Sequence, residues 1–138
     1  MEVRRAVGLS LLALVVAACS VTRLTLPGPV LGLEDKAATR RAILEGMASR
    51  GWVVEEEEGR RILARIHVRS HVAKVWIDYN DRQIAFRYGG SEGLGCDGET
   101  DSCSSIHEKY NQWARNLALD ISREITRRRA LEPTPGAA

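Results

Sequence analysis

Four short runs of alternating apolar and polar residues, joined by very short connections, constrain the fold of this chain more than any other feature. The runs are Trp52–Glu56, Arg60–Val68, His71–Tyr79 and Arg82–Tyr88, and only two or three residues separate each run from the next. A crossover between parallel strands needs a dozen or more residues, whereas antiparallel strands can be joined by a two-residue turn. The runs therefore predict a four-stranded antiparallel meander.

The lengths of the connections also predict a register for each hairpin. The predicted turns are Glu57-Glu58-Gly59, Arg69-Ser70 and Asn80-Asp81. The resulting pairs are Val54 with Ile62, Trp52 with Ala64, Ile66 with Ala73, Ala64 with Val75, Ile62 with Ile77, Ile77 with Ile84, Val75 with Phe86, and Ala73 with Tyr88. All these residues share one apolar face, and a slip of one residue would turn that face toward water.

A helix is predicted on either side of the meander. Leu33–Arg50 has apolar residues at three- and four-residue steps and ends at Gly51. Ser105-Ile106-His107-Glu108 is typical of a capping box and begins a second helix that runs to about Arg129. The core positions expected on the helices are Leu33, Ala37, Ile43, Leu44, Met47 and Ala48, then Ile106, Tyr110, Trp113, Leu117, Ile121 and Ile125. We expect an α+β fold, a two-layer sandwich in the order α-β-β-β-β-α, with both helices on one sheet face and the other face open.

The N-terminal segment differs from the rest of the chain. Arg4 and Arg5 precede Ala6–Ala18, a run of 13 residues without a charge. As a helix this run would be about 20 Å long, short of the roughly 30 Å hydrocarbon layer of a bilayer. A short basic segment followed by such a run is typical of a secretory signal.

Val16-Ala17-Ala18-Cys19 resembles the bacterial lipobox. The resemblance implies a diacylglycerol on the Cys19 thiol, cleavage before Cys19, and acylation of the new α-amino group. Two or three acyl chains on one residue anchor a protein firmly to a membrane. Ser20 follows, and in the sorting rule that this resembles, Ser at that position favours the outer membrane. The alternative is an ordinary signal peptide in which Cys19 merely follows the cleavage point.

These features divide the chain into four parts. Residues 1–18 are the expected lipoprotein signal peptide, and residues 19–32 are the lipidated Cys19 and a flexible tether, since Pro27-Gly28-Pro29 breaks regular structure. Residues 33–131 form the α+β domain. Residues 132–138 are expected to be a disordered tail because they are rich in proline.

With Cys19 assigned to a lipid, Cys96 and Cys103 remain, in a compartment where disulfides persist. Closing the ring between them would stabilise the domain by roughly 2.5 kcal/mol in the chain-entropy model. One alternative is a metal site formed with His107, but this set lacks a fourth ligand and the spacing of structural zinc sites. Free thiols are the other. We predict a disulfide, and no metal or cofactor.

The open sheet face contains the candidate binding residues. In the predicted register, one row consists of Val53, Leu63, Trp76 and Ala85, and a second row consists of Arg65, Lys74 and Arg87. Like charges abreast are destabilising and require compensation. An anionic ligand or acidic partner could provide it, with Trp76 as an anchor. Alternatively, the long side chains spread over Trp76 with their charged ends in water. The predicted binding face is Trp76, Leu63, Arg65, Lys74 and Arg87.

Motifs of catalysis and of nucleic-acid binding are not found in the sequence. It contains no GxSxG, no HExxH and no glycine-rich phosphate loop, and no residue has triad spacing to His71 or His107. The acidic run Glu55–Glu58 is interpreted as a solvated turn. Twenty basic residues against eighteen acidic ones give a charge of +2, too balanced for general nucleic-acid binding. We expect neither an enzyme nor a nucleic-acid-binding protein.

Three segments make the chain similar to a group of short proteobacterial lipoproteins. They are Arg50-Gly51-Trp52 with the glutamate-rich turn after it, Ala64–His71, and Ile106–Trp113. The resemblance implies an envelope location and this domain layout, and implies no catalytic residue. We therefore expect a non-enzymatic outer-membrane lipoprotein whose domain faces the periplasm and serves as a protein-interaction module. The alternative is a binder of anionic envelope polymer or lipid head groups through the open face.

Overall fold

The architecture is α+β, with two helices on one side of an antiparallel sheet. The computed structural model describes residues 20–96 and 103–132. In chain order the elements are β1 (Val21–Arg23), β2 (Val30–Leu31), α1 (Lys36–Ala48), β3 (Val53–Glu58), β4 (Arg61–Val68), β5 (His71–Tyr79), β6 (Gln83–Glu92), β7 (Ser105–His107) and α2 (Glu108–Leu131). The main sheet has the order β2-β6-β5-β4-β3, and β1 pairs with β7 separately.

The predicted fold class and the two helices are confirmed, and the detail of a four-stranded meander is not matched. Strands β3 to β6 form the meander, but β2 adds a fifth strand beside β6. All strand pairs are antiparallel. Within the described residues, neither helix combines the length and the apolar character needed to cross a lipid bilayer.

The register of the central hairpin is confirmed. Ile62 lies opposite Ile77, and the other two pairs predicted between β4 and β5 are also formed. The side chains on this face of β4 and β5 are buried beneath the helices. The alternation of side chains and the two-residue turn were sufficient to predict this register, because no bulge interrupts the pairing of β4 with β5.

The predicted register between β5 and β6 is wrong by two residues. Ile77 lies opposite Phe86 rather than Ile84. The side chain of Asn80 accepts two backbone hydrogen bonds of 2.8 Å, and the chain therefore turns at residues 81–82, one position later than predicted. A shift of two residues keeps every side chain on its face, so the predicted apolar set remains in the core. Val75 lies opposite Tyr88, also a shift of two residues. Beyond a bulge on β6, Ala73 lies opposite Ser91, a shift of three.

The predicted register between β3 and β4 is also wrong. Glu58 pairs with Arg61, so the turn has two residues instead of three. A bulge between Val54 and Glu56 then sets Val54 opposite Ala64. Strand β3 is exposed along its whole length, because it is the edge strand of the sheet.

Both helices begin later than predicted. In α1 the side chain of Asp35 accepts a hydrogen bond from the Ala38 backbone N–H (2.7 Å), so Asp35 is the N-cap. The buried positions of α1 are Thr39, Ala42, Ile43, Gly46 and Met47, whereas the predicted core positions Ala37 and Ala48 are exposed. The predicted capping box of α2 is wrong, because Ser105–His107 pairs with β1 and His107 becomes the N-cap. The predicted stripe of α2 is buried apart from Trp113, which is half-buried.

The segment 20–32, expected to be a flexible tether, is ordered along the domain. Its strands β1 and β2 find backbone partners on β7 and β6, and Leu24, Leu26 and Val30 pack against the core. A flexible tether is therefore wrong for these residues. The predicted signal peptide, Cys19 and most of the predicted disordered tail lie outside the described residues, whereas Glu132 is the C-cap of α2.

Candidate functional site

The predicted binding residues share the sheet face that points away from both helices, which we call the open face. On it, Leu63 lies directly opposite Trp76, and Arg65 lies opposite Lys74. Arg87, however, lies opposite Trp76 rather than beside Lys74. The predicted row of three cations is therefore wrong, because the turn between β5 and β6 lies one residue later than predicted and moves the partner of Arg87 by two residues along β5.

The predicted apolar row is shorter than expected. Val53 lies opposite Arg65, and Ala85 lies opposite Asp78. Only the Leu63–Trp76 contact of that row remains. Leu63 is 7% exposed although it lies on the outer face. A Cβ on Gly89 would come within 2.7 Å of the Leu63 side chain, so a glycine at that position leaves room for it.

Two of the three cations are compensated by carboxylates of the chain itself. Lys74 Nζ donates to Glu55 Oε1 at 2.9 Å. Arg87 Nε donates to Asp78 Oδ2 at 2.6 Å, and this hydrogen bond raises the pKa of the Arg87 guanidinium. Within the described residues, Arg65 has no carboxylate at ion-pair distance. Carboxylates of the domain itself therefore neutralise two of the three cations, Lys74 and Arg87.

Trp76 is the largest side chain of the open face and is half-buried. The Arg61 guanidinium carbon lies 4.9 Å from the centre of its ring, a cation–π distance. Arg61 also lies 3.4 Å from Asp78. The open face thus has an apolar centre of Trp76 and Leu63 surrounded by paired charges. An aromatic centre with a polar rim is the usual composition of a protein-docking surface.

Sequence reasoning missed a groove of about 390 Å³ beside the first half of α2. Its lining residues are Arg50, Trp52, Ile66, Gln112, Trp113 and Asn116. They come from three separate parts of the chain, so no local pattern indicated them. The three segments that carry the lipoprotein resemblance all contribute to this groove. Arg50 donates a hydrogen bond to the buried carboxylate of Asp120, which holds the guanidinium at the rim.

Cys96 and Cys103 form a pair at disulfide distance. Their Sγ atoms are 2.21 Å apart and their Cα atoms 5.6 Å apart. The third member of the alternative metal site, His107, uses Nδ1 to accept a hydrogen bond from the Lys109 backbone N–H (3.2 Å). Across residues 20–96 and 103–132, no group of three or more His, Cys, Asp or Glu side chains is arranged to hold a metal ion.

Comparisons with protein-family models, with curated proteins and with solved structures find no match to this chain. The similarity to short proteobacterial lipoproteins is therefore carried by its three segments alone and stays a prediction.

Proposed function

We propose that the chain is a lipid-anchored protein of the bacterial outer membrane, whose domain faces the periplasm and binds another envelope protein through the open face. The membrane anchor is inferred from Cys19, which follows small residues and an uncharged run of 13 residues. The proposal includes no enzymatic activity, no cofactor and no nucleic-acid ligand. It leaves the number of copies in the assembly open.

We infer a protein partner because two cations of the open face are already paired with carboxylates of the domain. Lys74 is paired with Glu55, and Arg87 with Asp78, so these charges are already compensated before any partner binds. A polyanion would have to compete with both carboxylates. A protein surface can instead cover Trp76 and exchange hydrogen bonds with the paired charges at its rim. The geometry therefore favours a protein partner over the alternative of an anionic polymer or lipid head group.

The experiment is site-specific photocrosslinking in intact cells, with a photoreactive amino acid in place of Ala85. Ala85 lies on the open face opposite Asp78. We expect an adduct of one defined mass, identified by mass spectrometry as an envelope protein. Trp76→Ala should abolish the adduct, because it removes the apolar centre of the face, while the circular dichroism spectrum remains that of the parent.

Leu119→Ala is the matched control, since Leu119 is 53% exposed and lies on α2, away from the open face. It should leave the adduct unchanged. The proposal of a protein partner is contradicted if Trp76→Ala crosslinks as well as Leu119→Ala. The polymer alternative gains support if the combined change of Arg65, Lys74 and Arg87 to Gln removes a binding activity whose affinity falls steeply with salt.

A further inference from the structure

The chain is attached to the domain from the first residue after Cys19. The Ser20 carbonyl accepts a hydrogen bond from the Glu108 backbone N–H at the start of α2 (3.0 Å). Strand β1 begins at the next residue and pairs with β7 over three residues. The Leu24 backbone N–H then donates to the Ser104 carbonyl (2.9 Å). The segment is therefore held continuously rather than at a single point.

The side chain of Asn111 adds a second attachment. Its Nδ2 donates to the Arg23 carbonyl at 2.7 Å, and its Oδ1 accepts from the Thr25 backbone N–H at 2.9 Å. Asn111 is 4% exposed, so both bonds are shielded from water. We call β1, β7 and Asn111 together the anchor clamp. It joins the N-terminal segment to the first turns of α2.

This arrangement determines which surface of the domain would lie next to a lipid on Cys19. Consecutive Cα atoms lie about 3.8 Å apart, so the acylated residue is one peptide unit from Ser20, whose carbonyl is bound to Glu108, and two peptide units from β1. On the basis of the function proposed above, we propose that the domain does not swing on a tether. Instead, it lies against the lipid surface that holds its acyl chains, with β1 and the first turn of α2 facing the head groups.

The exposed side chains around the clamp suit a lipid surface. Val21 is 58% exposed and can enter the boundary between head groups and acyl chains. Arg23 and Lys109 are exposed cations close to it, and anionic head groups attract such side chains. Glu108 is the acidic group in the same region. The surface has two cations to one acid, together with an apolar side chain at the anchor.

The test compares two positions on α2. Glu108→Cys lies at the clamp, and Ala130→Cys lies about 33 Å away along the helix axis at 1.5 Å per residue. Both residues are exposed. Each variant, purified from cells in its acylated form, is labelled with a fluorophore and reconstituted into vesicles of phosphatidylethanolamine and phosphatidylglycerol with nitroxide-labelled head groups. We expect loss of most of the fluorescence at position 108 and little loss at position 130. Equal loss at both positions would overturn the inference.

Two further variants test whether the clamp, and not the lipid alone, orients the domain at the membrane. Ten Gly and Ser residues inserted between Cys19 and Ser20 reach about 17 Å as a flexible chain, so the difference between the two positions should disappear. Asn111→Ala should reduce the difference, whereas Gln112→Ala, its exposed neighbour, should not. A difference that survives the insertion unchanged would contradict a role for the clamp, even if Asn111→Ala fails to fold.

Mass spectrometry of the purified protein distinguishes the failure of this inference from that of the proposed function. Absence of acyl chains on Cys19 would contradict both. Acyl chains on Cys19 with equal quenching at positions 108 and 130 would contradict the membrane-facing orientation and leave the lipid anchor intact.

Discussion

Gly46 of α1 lies so close to Ile121 of α2 that a Cβ on Gly46 would come within 2.7 Å of the Ile121 Cα atom. Real Cβ atoms do not approach backbone atoms so closely, so the two helices would have to move apart. We expect Gly46→Ala to lower the free energy of unfolding by about 1–3 kcal/mol, the usual effect of overpacking. Urea denaturation followed by circular dichroism measures it.

Gly28→Ala is the control for this change. A Cβ on Gly28 would have nothing within 4 Å, so the substitution should leave the free energy of unfolding near that of the parent. If Gly46→Ala were as stable as Gly28→Ala, the helices would not cross at Gly46.

The hydroxyl of Tyr110 connects α2 to the bulged part of the sheet. It donates to the Lys74 carbonyl at 2.7 Å, and burial raises the pKa of the hydroxyl, which therefore remains a neutral donor. Tyr110→Phe should lower the free energy of unfolding by about 1–2 kcal/mol, because the carbonyl loses its partner. Tyr79→Phe should have a smaller effect, since the Tyr79 hydroxyl forms no hydrogen bond within the described residues. Equal losses in urea denaturation would argue against this hydrogen bond.

The disulfide should contribute measurably to stability. Replacing both Cys96 and Cys103 with Ser should lower the free energy of unfolding by roughly 2.5 kcal/mol, the value for an eight-residue ring in the chain-entropy model. A reductant should destabilise the parent by a similar amount and leave the double variant unchanged. Two reactive thiols in the folded, unreduced protein would show that the pair is not oxidised.

An ion pair between α1 and β3 should make stability depend on pH. Arg40 donates to both carboxylate oxygens of Glu57, at 2.6 and 2.9 Å, and these hydrogen bonds lower the pKa of Glu57 below its ordinary value of 4.5. A carboxylate whose pKa is lowered by folding stabilises the folded state above its unfolded pKa. That contribution is lost as the pH falls through the lower, folded pKa.

Glu57→Gln should therefore lose less stability than the parent between pH 7 and pH 3. Glu58→Gln is the matched control, because Glu58 is exposed and its side chain forms no ion pair within the described residues. It should lose as much stability as the parent over the same range. Identical pH dependence for Glu57→Gln and Glu58→Gln in urea denaturation would contradict the prediction.

The sequence predicted the apolar face of the sheet more reliably than the pairing across it. Ile77 is in the core whether it faces Ile84 or Phe86, because the two registers differ by two residues and the side chains alternate. The turn at residues 81–82 sets the register at Ile77, and bulges on β3 and β6 change the pairing farther along those strands. No local pattern in either strand specified them.

On the open face, too, the side of the sheet was predicted correctly and the pairing was not. Trp76 and the three cations were assigned to the correct side, since alternation alone decides it. Which cation meets which carboxylate depends on the register, so the pairs with Glu55 and Asp78 were not predicted. The groove at Trp113 was missed because its lining residues are far apart in the chain.

The ordered N-terminal segment shows the limit of local signals. Pro27-Gly28-Pro29 does prevent a long regular element, as the composition indicated. The partners that fix residues 21–25, however, lie more than eighty residues later, at β7 and Asn111. Pairing over such a separation leaves no periodic pattern in either segment.

In the function proposed above, acyl chains on Cys19 hold the protein at the membrane. Growing cells with radiolabelled palmitate and comparing the parent with Cys19→Ala tests it most directly. We expect label on the parent, which sediments with the outer-membrane fraction, and neither label nor sedimentation for Cys19→Ala. A Cys19→Ala protein that takes up as much label as the parent and still sediments with membranes would contradict it.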